Sequence, residues 1–263
     1  MSWVVDNLGL IFELTLVHLR QSIIPIVLGL VLSIPLGWVA WRYRLVRGPI
    51  IVLTGLLYTI PSLALLILLP AALGYSVISE ANLVAALTIY AVAILVRAVA
   101  DGLDSVDASV RQAATAMGYA APRRFWGVEL PLAGPVILAG LRVTAVSTIS
   151  LATVGILIGV TNLGYLFTNG QQRRLVAEVL SGVVAVVIIA LLVDLLLLLL
   201  GRALMPWARS RGGKLRANGA GASRPSGGAS RPNGGASRPN GGASSRENTA
   251  ASSRATSGTA VSA

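Results

Sequence analysis

The sequence has no cysteine and only one histidine among its 263 residues. The absence of cysteine excludes disulfides, thiolate metal sites and cysteine nucleophiles. A single imidazole, that of His18, cannot build a histidine-based metal cluster. We therefore expect neither a metal site nor a cofactor in this chain.

Charged residues are also scarce. They make up 12% of the chain, whereas hydrophobic residues make up 55%. The mean hydropathy of +0.77 lies above that of ordinary soluble domains, which indicates an integral membrane protein. The sequence also lacks a glycine-rich phosphate-binding loop of the G-x-x-x-x-G-K-S type, so we do not expect this chain to be an ATP-hydrolysing enzyme.

Long apolar segments dominate the first 200 residues. A bilayer core about 30 Å thick needs roughly 20 apolar residues in a helix. Five segments meet that length: 21–41, one within 48–79, 81–99 with Arg97 near its end, 130–160 and 179–200. The sequence therefore predicts an all-α polytopic membrane protein with about five transmembrane helices.

The net charge of +11 has an uneven distribution along the chain. Ten of the 21 basic residues lie after position 200, and most of the others lie in the loops 42–47 and 97–124. Because basic loops stay on the cytoplasmic side, this predicts an external N-terminus, a cytoplasmic C-terminus and no nucleic-acid partner. Arg173 and Arg174 depart from the rule, and a re-entrant or partner-covered loop would accommodate them.

The two ends of the chain differ from the predicted spans. Residues 1–20 are too short to cross the bilayer, and Glu13, His18 and Arg20 interrupt their apolar face, which predicts an interfacial helix with His18 near the headgroups. The units SRPSGGA, SRPNGGA and SRPNGGA run from residue 223 to 243 and lack the apolar residues that a folded core requires. We divide the chain into an interfacial helix (1–20), a transmembrane domain (21–207) and a disordered tail (208–263).

The segment 101–131 lies between the third and fourth predicted spans and contains polar and charged residues at intervals. Asp104, Ser105 and Asp107 suit the start of a helix, and Gly118 suits its end. An apolar stripe follows helical spacing through Val106, Val110, Ala113 or Ala114, and Met117. Pro122 is placed to begin a second short helix, and Pro131 to open the fourth span. The pattern predicts two amphipathic helices outside the bilayer, which either bind a partner or lie on the membrane surface.

The spacing within this segment resembles the EAA motif of permease subunits in bacterial ABC importers. That motif reads E-A-A, three residues, G, nine residues, and I-x-L-P. The matching positions here are Gln112, Ala113, Ala114, Gly118, Val128, Leu130 and Pro131. Glutamine replaces the motif's glutamate and valine its isoleucine. The resemblance implies a type I ABC importer permease whose loop 101–131 docks on a cytoplasmic ATPase subunit.

Three further stretches narrow the resemblance. Residues 58–70 (YTIPSLALLILLP), 91–107 (AVAILVRAVADGLDSVD) and 129–142 (ELPLAGPVILAGLR) are similar to permeases of osmoprotectant importers. That group moves glycine betaine, choline, carnitine or proline betaine. The resemblance covers roughly residues 10–205 and implies a multi-pass protein of the bacterial cell membrane. The partners that it implies are an extracytoplasmic solute-binding protein, a second copy or paralogous permease, and membrane lipids.

Prolines interrupt the first two predicted spans at Pro35, Pro61 and Pro70. Broken helices at membrane depth are tolerated where they line a cavity or contact protein. The hydroxyls of Thr59 and Ser62 flank Pro61, so these three residues are candidates for the solute path. A helix kink without solute contact is the alternative.

Arg142 and Asp194 are the only charges deep in the predicted spans, and we expect structural roles for both. Arg142 could snorkel to the cytoplasmic face, and Asp194 could pair across helices or lie near the inner leaflet. An ion-coupled secondary transporter is a second candidate function, but that class usually has intramembrane carboxylates or broken inverted repeats. A structural assembly protein is a third, and it would not require the spacing of the loop motif. An ABC permease for another small solute also remains open.

Overall fold

The structure is a computed structural model that describes residues 2–74 and 76–209. The described residues form helices and no strand. The predicted repeats, and nearly all of the predicted tail, lie outside the described residues.

The helices follow one another with short connections. In chain order they are α1 (Ser2–Asp6), α2 (Leu8–Arg42), α3 (Arg44–Thr59), α4 (Ser62–Leu73), α5 (Glu80–Asp104), α6 (Ala108–Ala116), α7 (Ala121–Arg124), α8 (Leu130–Ala152), α9 (Gly164–Gln172) and α10 (Val176–Leu204). A π-helical turn, Phe125–Glu129, joins α7 to α8. Short 3₁₀ helices follow α8 (Thr153–Ile158) and α10 (Pro206–Arg209).

Four helical stretches among the described residues are long and apolar enough to cross a membrane. They are α2, α5, the continuous stretch Ala121–Ile158 that includes α7 and α8, and α10. Helices α3 and α4 pass the same test together and are bent by 109° where they meet. The prediction of an all-α polytopic membrane protein with about five spans is thus confirmed.

Close helix contacts set the direction of each span. Helix α2 runs parallel to α5, because Gly29 lies against Ala91 and Gly37 against Val99. Helix α8 runs antiparallel to α5, since Gly102 lies against Ala133 whereas Ala98, earlier in α5, lies against Gly140, later in α8. Helix α10 is antiparallel to α8 in turn. The ends of α2, α5 and α10 therefore meet the start of α8 at one end of the bundle, which we call the loop end; the opposite end is the far end.

Small residues allow α2 and α5 to approach closely. The buried face of α2 includes Gly29, Ser33, Gly37 and Ala40, spaced three or four residues apart. Such spacing places small side chains on one helical face, and lipid-exposed helices associate through close packing at small residues. The small face of α2 therefore positions α5, and α5 positions α8.

The N-terminal prediction needs correction. Helix α2 starts at Leu8 and continues without a break past residue 20, so residues 8–20 are not a separate interfacial helix. His18 is fully buried rather than placed on the helix surface. The cause is packing: Leu14 belongs to a core cluster with Ile149, Leu163 and Val186. The apolar face of this region covers α8 and α10 instead of lipid.

The three prolines behave differently from one another. Pro35 lies inside α2 and Pro70 inside α4, and neither ends its helix, so the prediction that both interrupt the spans is wrong. Only Pro61 coincides with a break, where Ile60 and Pro61 both adopt extended backbone angles. The residue before a proline disfavours helical geometry, and at Ile60 no neighbouring turn overrides that preference.

Candidate functional site

The loop segment, residues 105–129, begins with a short capped helix. The carboxylate of Asp107 accepts a hydrogen bond of 2.8 Å from the backbone N–H of Ser109 and caps α6. Asp104 was also expected to serve this helix, but it is the last residue of α5 and its carboxylate pairs with Arg47 at 2.5 Å. The helix therefore starts one turn later than predicted, and its first turn contains no acid.

Gly118 ends α6 in the conformation that the sequence predicts. Its φ angle is +82°, in the left-handed region that favours glycine. The N–H of Gly118 donates to the carbonyl of Thr115 (3.0 Å), and the N–H of Tyr119 donates to that of Ala114 (3.1 Å). These two bonds form a Schellman motif, which satisfies carbonyls at the helix end. The chain therefore turns sharply at a fixed angle after α6.

The predicted apolar stripe of α6 is only partly correct. Val106 and Ala114 are buried and hold the helix against the bundle, whereas Met117 is 69% exposed. Gln112 and Ala113 are exposed, as is Gly118. Thus the two alanines of the motif point to different environments: Ala113 to the outside and Ala114 to the protein core.

The second part of the loop segment is not a separate helix. Helix α7, the π turn and α8 are continuous, so Pro131 lies in the first turn of α8 rather than opening a new element after a loop. Pro131 has no N–H for the carbonyl of Gly127, which favours a widened turn just before it. Val128, Leu130 and Pro131 are half-buried, and Leu130 packs on the core at the loop end.

An ion pair fixes this junction. Arg124 Nε donates to the carboxylate of Glu129 at 2.8 Å, and Arg124 Nη1 donates to the hydroxyl of Thr115 at 2.7 Å. Glu129 is only 2% exposed. Because one guanidinium binds both α6 and the π turn, the two halves of the loop segment are held together. The loop segment is thus a rigid surface on which Gln112, Ala113 and Gly118 are exposed.

The predicted solute-path residues lie at the break between α3 and α4. Thr59 and Pro61 are exposed, and Ser62 is half-buried. The Thr59 hydroxyl donates to the carbonyl of Leu56 (2.7 Å). The hydroxyl of Tyr90 on α5 donates to the carbonyl of Ile60 (2.6 Å) and so ties the break to the bundle.

Two aromatic rings accompany this break. Tyr58 is 50% exposed, and its ring meets that of Tyr90 edge-on with 6.1 Å between the ring centroids. Neither tyrosine is among the residues predicted from the sequence to border the solute path. A signal for Tyr58 was present, because it stands three residues before Pro61 in the stretch that resembles other permeases.

Arg142 and Asp194 form a two-pronged ion pair between α8 and α10. Arg142 Nε donates to Asp194 Oδ1 at 2.7 Å, and Nη2 donates to Oδ2 at 2.6 Å. The structural role expected for both residues agrees with this geometry. Arg142 is the residue with which Asp194 pairs across helices.

A polar network at the far end was not anticipated. His18 Nε2 lies 3.0 Å from the carbonyl oxygen of Ile149, and the amide of Asn162 donates to the carbonyl of Ala152 at 2.7 Å. The amide of Gln21 donates to the carbonyl of Thr161 at 3.2 Å. His18 and Asn162 contact carbonyls at the end of α8 that its own helix leaves without donors, and Gln21 contacts a carbonyl in the connection between α8 and α9. Polar residues three apart in an apolar stretch, His18 and Gln21, were the available signal.

Comparisons with known proteins agree with one another. A family model described as binding-protein-dependent transport system inner membrane component matches residues 26–210. The chain is 30% identical to the osmoprotectant import permease protein OsmW of Salmonella typhimurium, over 74% of this chain and 92% of that protein. It is 29% identical to the glycine betaine/carnitine/choline transport system permease protein OpuCD of Bacillus subtilis, over 79% of this chain and 90% of that protein.

A solved structure shares the fold. A chain of the MetNI methionine ABC transporter, in an inward-facing conformation, superposes with a TM-score of 0.67 at 19% identity. The match covers 76% of this chain and 98% of that one. At this identity the likeness bears on the helical arrangement, and it supports the type I importer fold that the loop motif implies.

Proposed function

The chain belongs to the family of binding-protein-dependent transport system inner membrane components, and on that basis we propose that it conducts a quaternary-amine osmoprotectant across the membrane. Glycine betaine, choline, carnitine and proline betaine are the candidate solutes. The chain is a transport component, and ATP hydrolysis is assigned to a separate subunit that contacts the loop segment. An ABC permease for another small solute is the alternative.

The observation that carries the proposal is the construction of the loop segment. A surface that transmits motion from a soluble ATPase must be rigid and must lie outside the spans. The cap at Asp107, the Schellman turn at Gly118 and the Arg124–Glu129 pair provide that rigidity. Gln112 and Ala113 are exposed beside them and form the contact surface. Ala114, Val128, Leu130 and Pro131 serve the same coupling by holding the segment to the bundle.

Charge supports the orientation. The loop end carries Arg42, Arg44, Arg47, Arg111, Arg123, Arg124 and Arg202. Because positively charged ends face the cytoplasm, this charge supports a loop segment on the side of a cytoplasmic ATPase and an N-terminus outside the bacterial cell. Arg173 and Arg174 stay on the outer side, at the turn between α9 and α10.

The ion pair in the spans argues against an ion-coupled transporter. Such a protein needs an intramembrane carboxylate that can release and bind its ion. Of the described carboxylates within α10, Glu178 lies at the far-end start of the helix, where the amide of Asn169 donates to it, and Asp194 lies deep in the span. Both oxygens of Asp194 are engaged by Arg142. It therefore has no free oxygen for a coupling ion in this arrangement.

The bent pair of helices supports a place for the solute and for a second permease. Thr59, Pro61 and Ser62 line the break, and aromatic faces such as that of Tyr58 attract quaternary ammonium groups. The bent pair also leaves several large apolar side chains exposed: Leu45, Val52, Leu53, Leu56, Ile67 and Leu68. A second permease copy or a paralogue packed here would enclose the solute path between two chains. An external binding protein would then deliver the solute to that path.

The proposal is tested by Gly118→Trp in cells that depend on osmoprotectant uptake. An L-residue at this φ angle costs about 1 kcal/mol, and the indole would project from the contact surface into the ATPase. Nothing lies within 4 Å of a Cβ at this glycine, so the chain itself tolerates the bulk. We expect normal membrane levels, loss of ATPase association and uptake reduced at least tenfold.

Two control variants separate bulk from strain. Gly9→Trp places the same side chain at another glycine with open space around its Cβ, near the start of α2 and away from the loop segment, and uptake should persist. Gly118→Asn keeps the left-handed turn accessible without the bulk. A Gly118→Trp protein that binds the ATPase and transports normally would show that the loop segment does not couple to it.

A further inference from the structure

A basic groove opens at the loop end beside α6. It has a volume of about 690 Å³, and Trp41, Arg42, Arg111, Gln112, Thr115 and Arg124 contribute to its wall. Trp41 and Arg42 are the last two residues of α2. The groove therefore lies where a membrane span ends.

The positive charge of this groove is not balanced within the described part of the chain. Arg124 is paired with Glu129, and the nearby Asp101 and Asp104 are engaged by Arg47. Arg42 and Arg111 have no carboxylate within ion-pair distance among the described residues. Two uncompensated guanidinium groups thus face the same opening.

The position of Arg111 is fixed by its surroundings. Its guanidinium carbon lies 5.4 Å from the centroid of the Trp41 ring, and Nη1 donates to the carbonyl of Leu103 at 3.3 Å. An arginine held by an aromatic ring and a carbonyl keeps its remaining N–H groups available in a set direction. The groove is thereby prepared for an anionic group.

An apolar groove lies along the same helix, farther from its end. It has a volume of about 530 Å³ and runs between Val31, Pro35 and Trp38 of α2 and the side chains of Phe125 and Trp126. Val31 is 59% exposed and Trp126 63% exposed, so the groove opens to the surroundings of the bundle. Its wall is almost entirely apolar.

The two grooves share one face of α2. Positions 31, 34, 35, 38, 41 and 42 follow the three- and four-residue spacing of a single helical face. Adjacent residues Arg124 and Phe125 form the opposite wall of each. From Val31 to Arg42 the groove extends about 16 Å along the helix axis. The channel is apolar toward the middle of the span and basic at its end.

We propose that this continuous groove binds one anionic phospholipid, with its phosphate at Arg42 and Arg111 and an acyl chain along Val31, Pro35 and Trp38. The positive charge of the groove and its position along α2 both fit this occupant. The acyl chains of a phospholipid are apolar, and its anionic phosphate lies at the level where a span ends. Basic pockets at the cytoplasmic ends of helices bind such headgroups. A soluble protein would meet the basic end but not the part of the apolar groove that runs along Val31 and Pro35 of α2. The inference requires only that the chain lies in a membrane.

The test measures binding of phosphatidylglycerol to the full-length protein in phosphatidylcholine micelles or nanodiscs by native mass spectrometry. Arg42→Gln with Arg111→Gln should weaken the first bound phosphatidylglycerol at least tenfold. Arg44→Gln with Arg97→Gln removes the same charge at exposed positions outside the groove and should change binding less than twofold. Glycerol phosphate at millimolar concentration should not compete, since it lacks the acyl chain.

A second pair of variants tests the apolar part. Val31→Trp fills the groove, whereas Leu32→Trp places the same side chain on a neighbouring exposed position of α2 that does not line it. Only Val31→Trp should lower phosphatidylglycerol binding, and both proteins should remain monodisperse. Equal effects of the two arginine pairs would reduce the site to general surface charge and overturn the proposal. Wild-type lipid binding by the Arg42 and Arg111 variant, with loss of ATPase association, would identify the groove as a protein contact instead.

Discussion

At the scale of single residues, the ion pair between Arg142 and Asp194 is the strongest polar contact within the spans. Each of the two guanidinium N–H donors binds a different carboxylate oxygen, so the two charges satisfy each other. A charge at membrane depth is costly when it stands alone. The stabilisation that the pair adds is therefore smaller than the free-energy penalty of the uncompensated charge that remains when one partner is removed.

This asymmetry predicts an order of stabilities. Asp194→Leu alone leaves Arg142 uncompensated and should lower the thermal midpoint of the purified protein by several degrees. Arg142→Leu combined with Asp194→Leu removes both charges and should restore most of the loss, since buried pairs are often replaceable by apolar residues. Fluorescence-detected unfolding in detergent gives the midpoints. A double variant no more stable than the single one would assign the pair a function beyond mutual compensation.

Ser62 allows a test of the solute path at a single side chain. It is half-buried at the break after Pro61, so Ser62→Phe would narrow the space there without reaching the loop segment. We expect the uptake rate to fall several-fold while ATPase association is unchanged. Leu63→Phe adds an aromatic ring at the adjacent exposed position and serves as the matched control. Unchanged transport kinetics in Ser62→Phe would remove this residue from the path.

Individual residues were predictable where their role is local. Gly118 was identified from its place after an amphipathic stretch, because a left-handed helix end depends on a few neighbouring residues. His18 was placed on the surface, although it is buried against Ile149, 131 residues away. Local periodicity carries no information about a contact at that separation. The same limit separates Ala113 from Ala114, whose difference depends on which face the bundle covers.

At the scale of helices, the contact between α2 and α5 organises the bundle. A Cβ atom on Gly37 would lie 2.6 Å from Val99 Cβ and 3.0 Å from the carbonyl oxygen of Val96. No side chain fits at that separation without moving one of the helices. The small face of α2 is thus a requirement of the fold and not only a permissive feature.

Gly37→Leu should separate these two helices. Overpacking of this kind costs typically about 1–3 kcal/mol, and here a backbone carbonyl is among the atoms that must move. We expect lower yields of monodisperse protein and a lower thermal midpoint. Gly9→Leu, on the same helix with nothing within 4 Å of its Cβ, should behave as wild type. Equal stability of the two variants would mean that α2 and α5 can shift apart at little cost.

The helices themselves were mostly predictable, since a span is defined by apolar length. Helix boundaries were less so. The loop segment was expected to contain two separate helices, but α7 continues through a π turn into α8. A proline preceded by a widened turn does not end a helix, and sequence alone does not distinguish this from a helix start. Pro35 and Pro70 likewise lie inside helices without ending them.

At the scale of the whole molecule, the transmembrane part is followed by a long polar extension. Its repeats contain no apolar residue larger than alanine and proline. These repeats lie outside the described residues, and their composition predicts no packed core. A chain truncated after Lys214 should therefore reach the membrane at normal levels and retain uptake within about twofold. Quantitative immunoblotting and uptake of labelled solute measure both, and loss of uptake at normal level would show that the repeats take part in transport.

The helical stretch Ala121–Ile158 joins the two ends of the bundle without interruption. Its nine residues before Leu130 belong to the loop segment, and the 23 residues of α8 cross the bundle to the far end. An α-helix of that length measures about 34 Å. Treated as one rigid rod, this stretch has a short part at the surface and a long part through the membrane. A tilt of about 5° around a point near Glu129 would displace the far end of α8 by about 3 Å, by the same helix length.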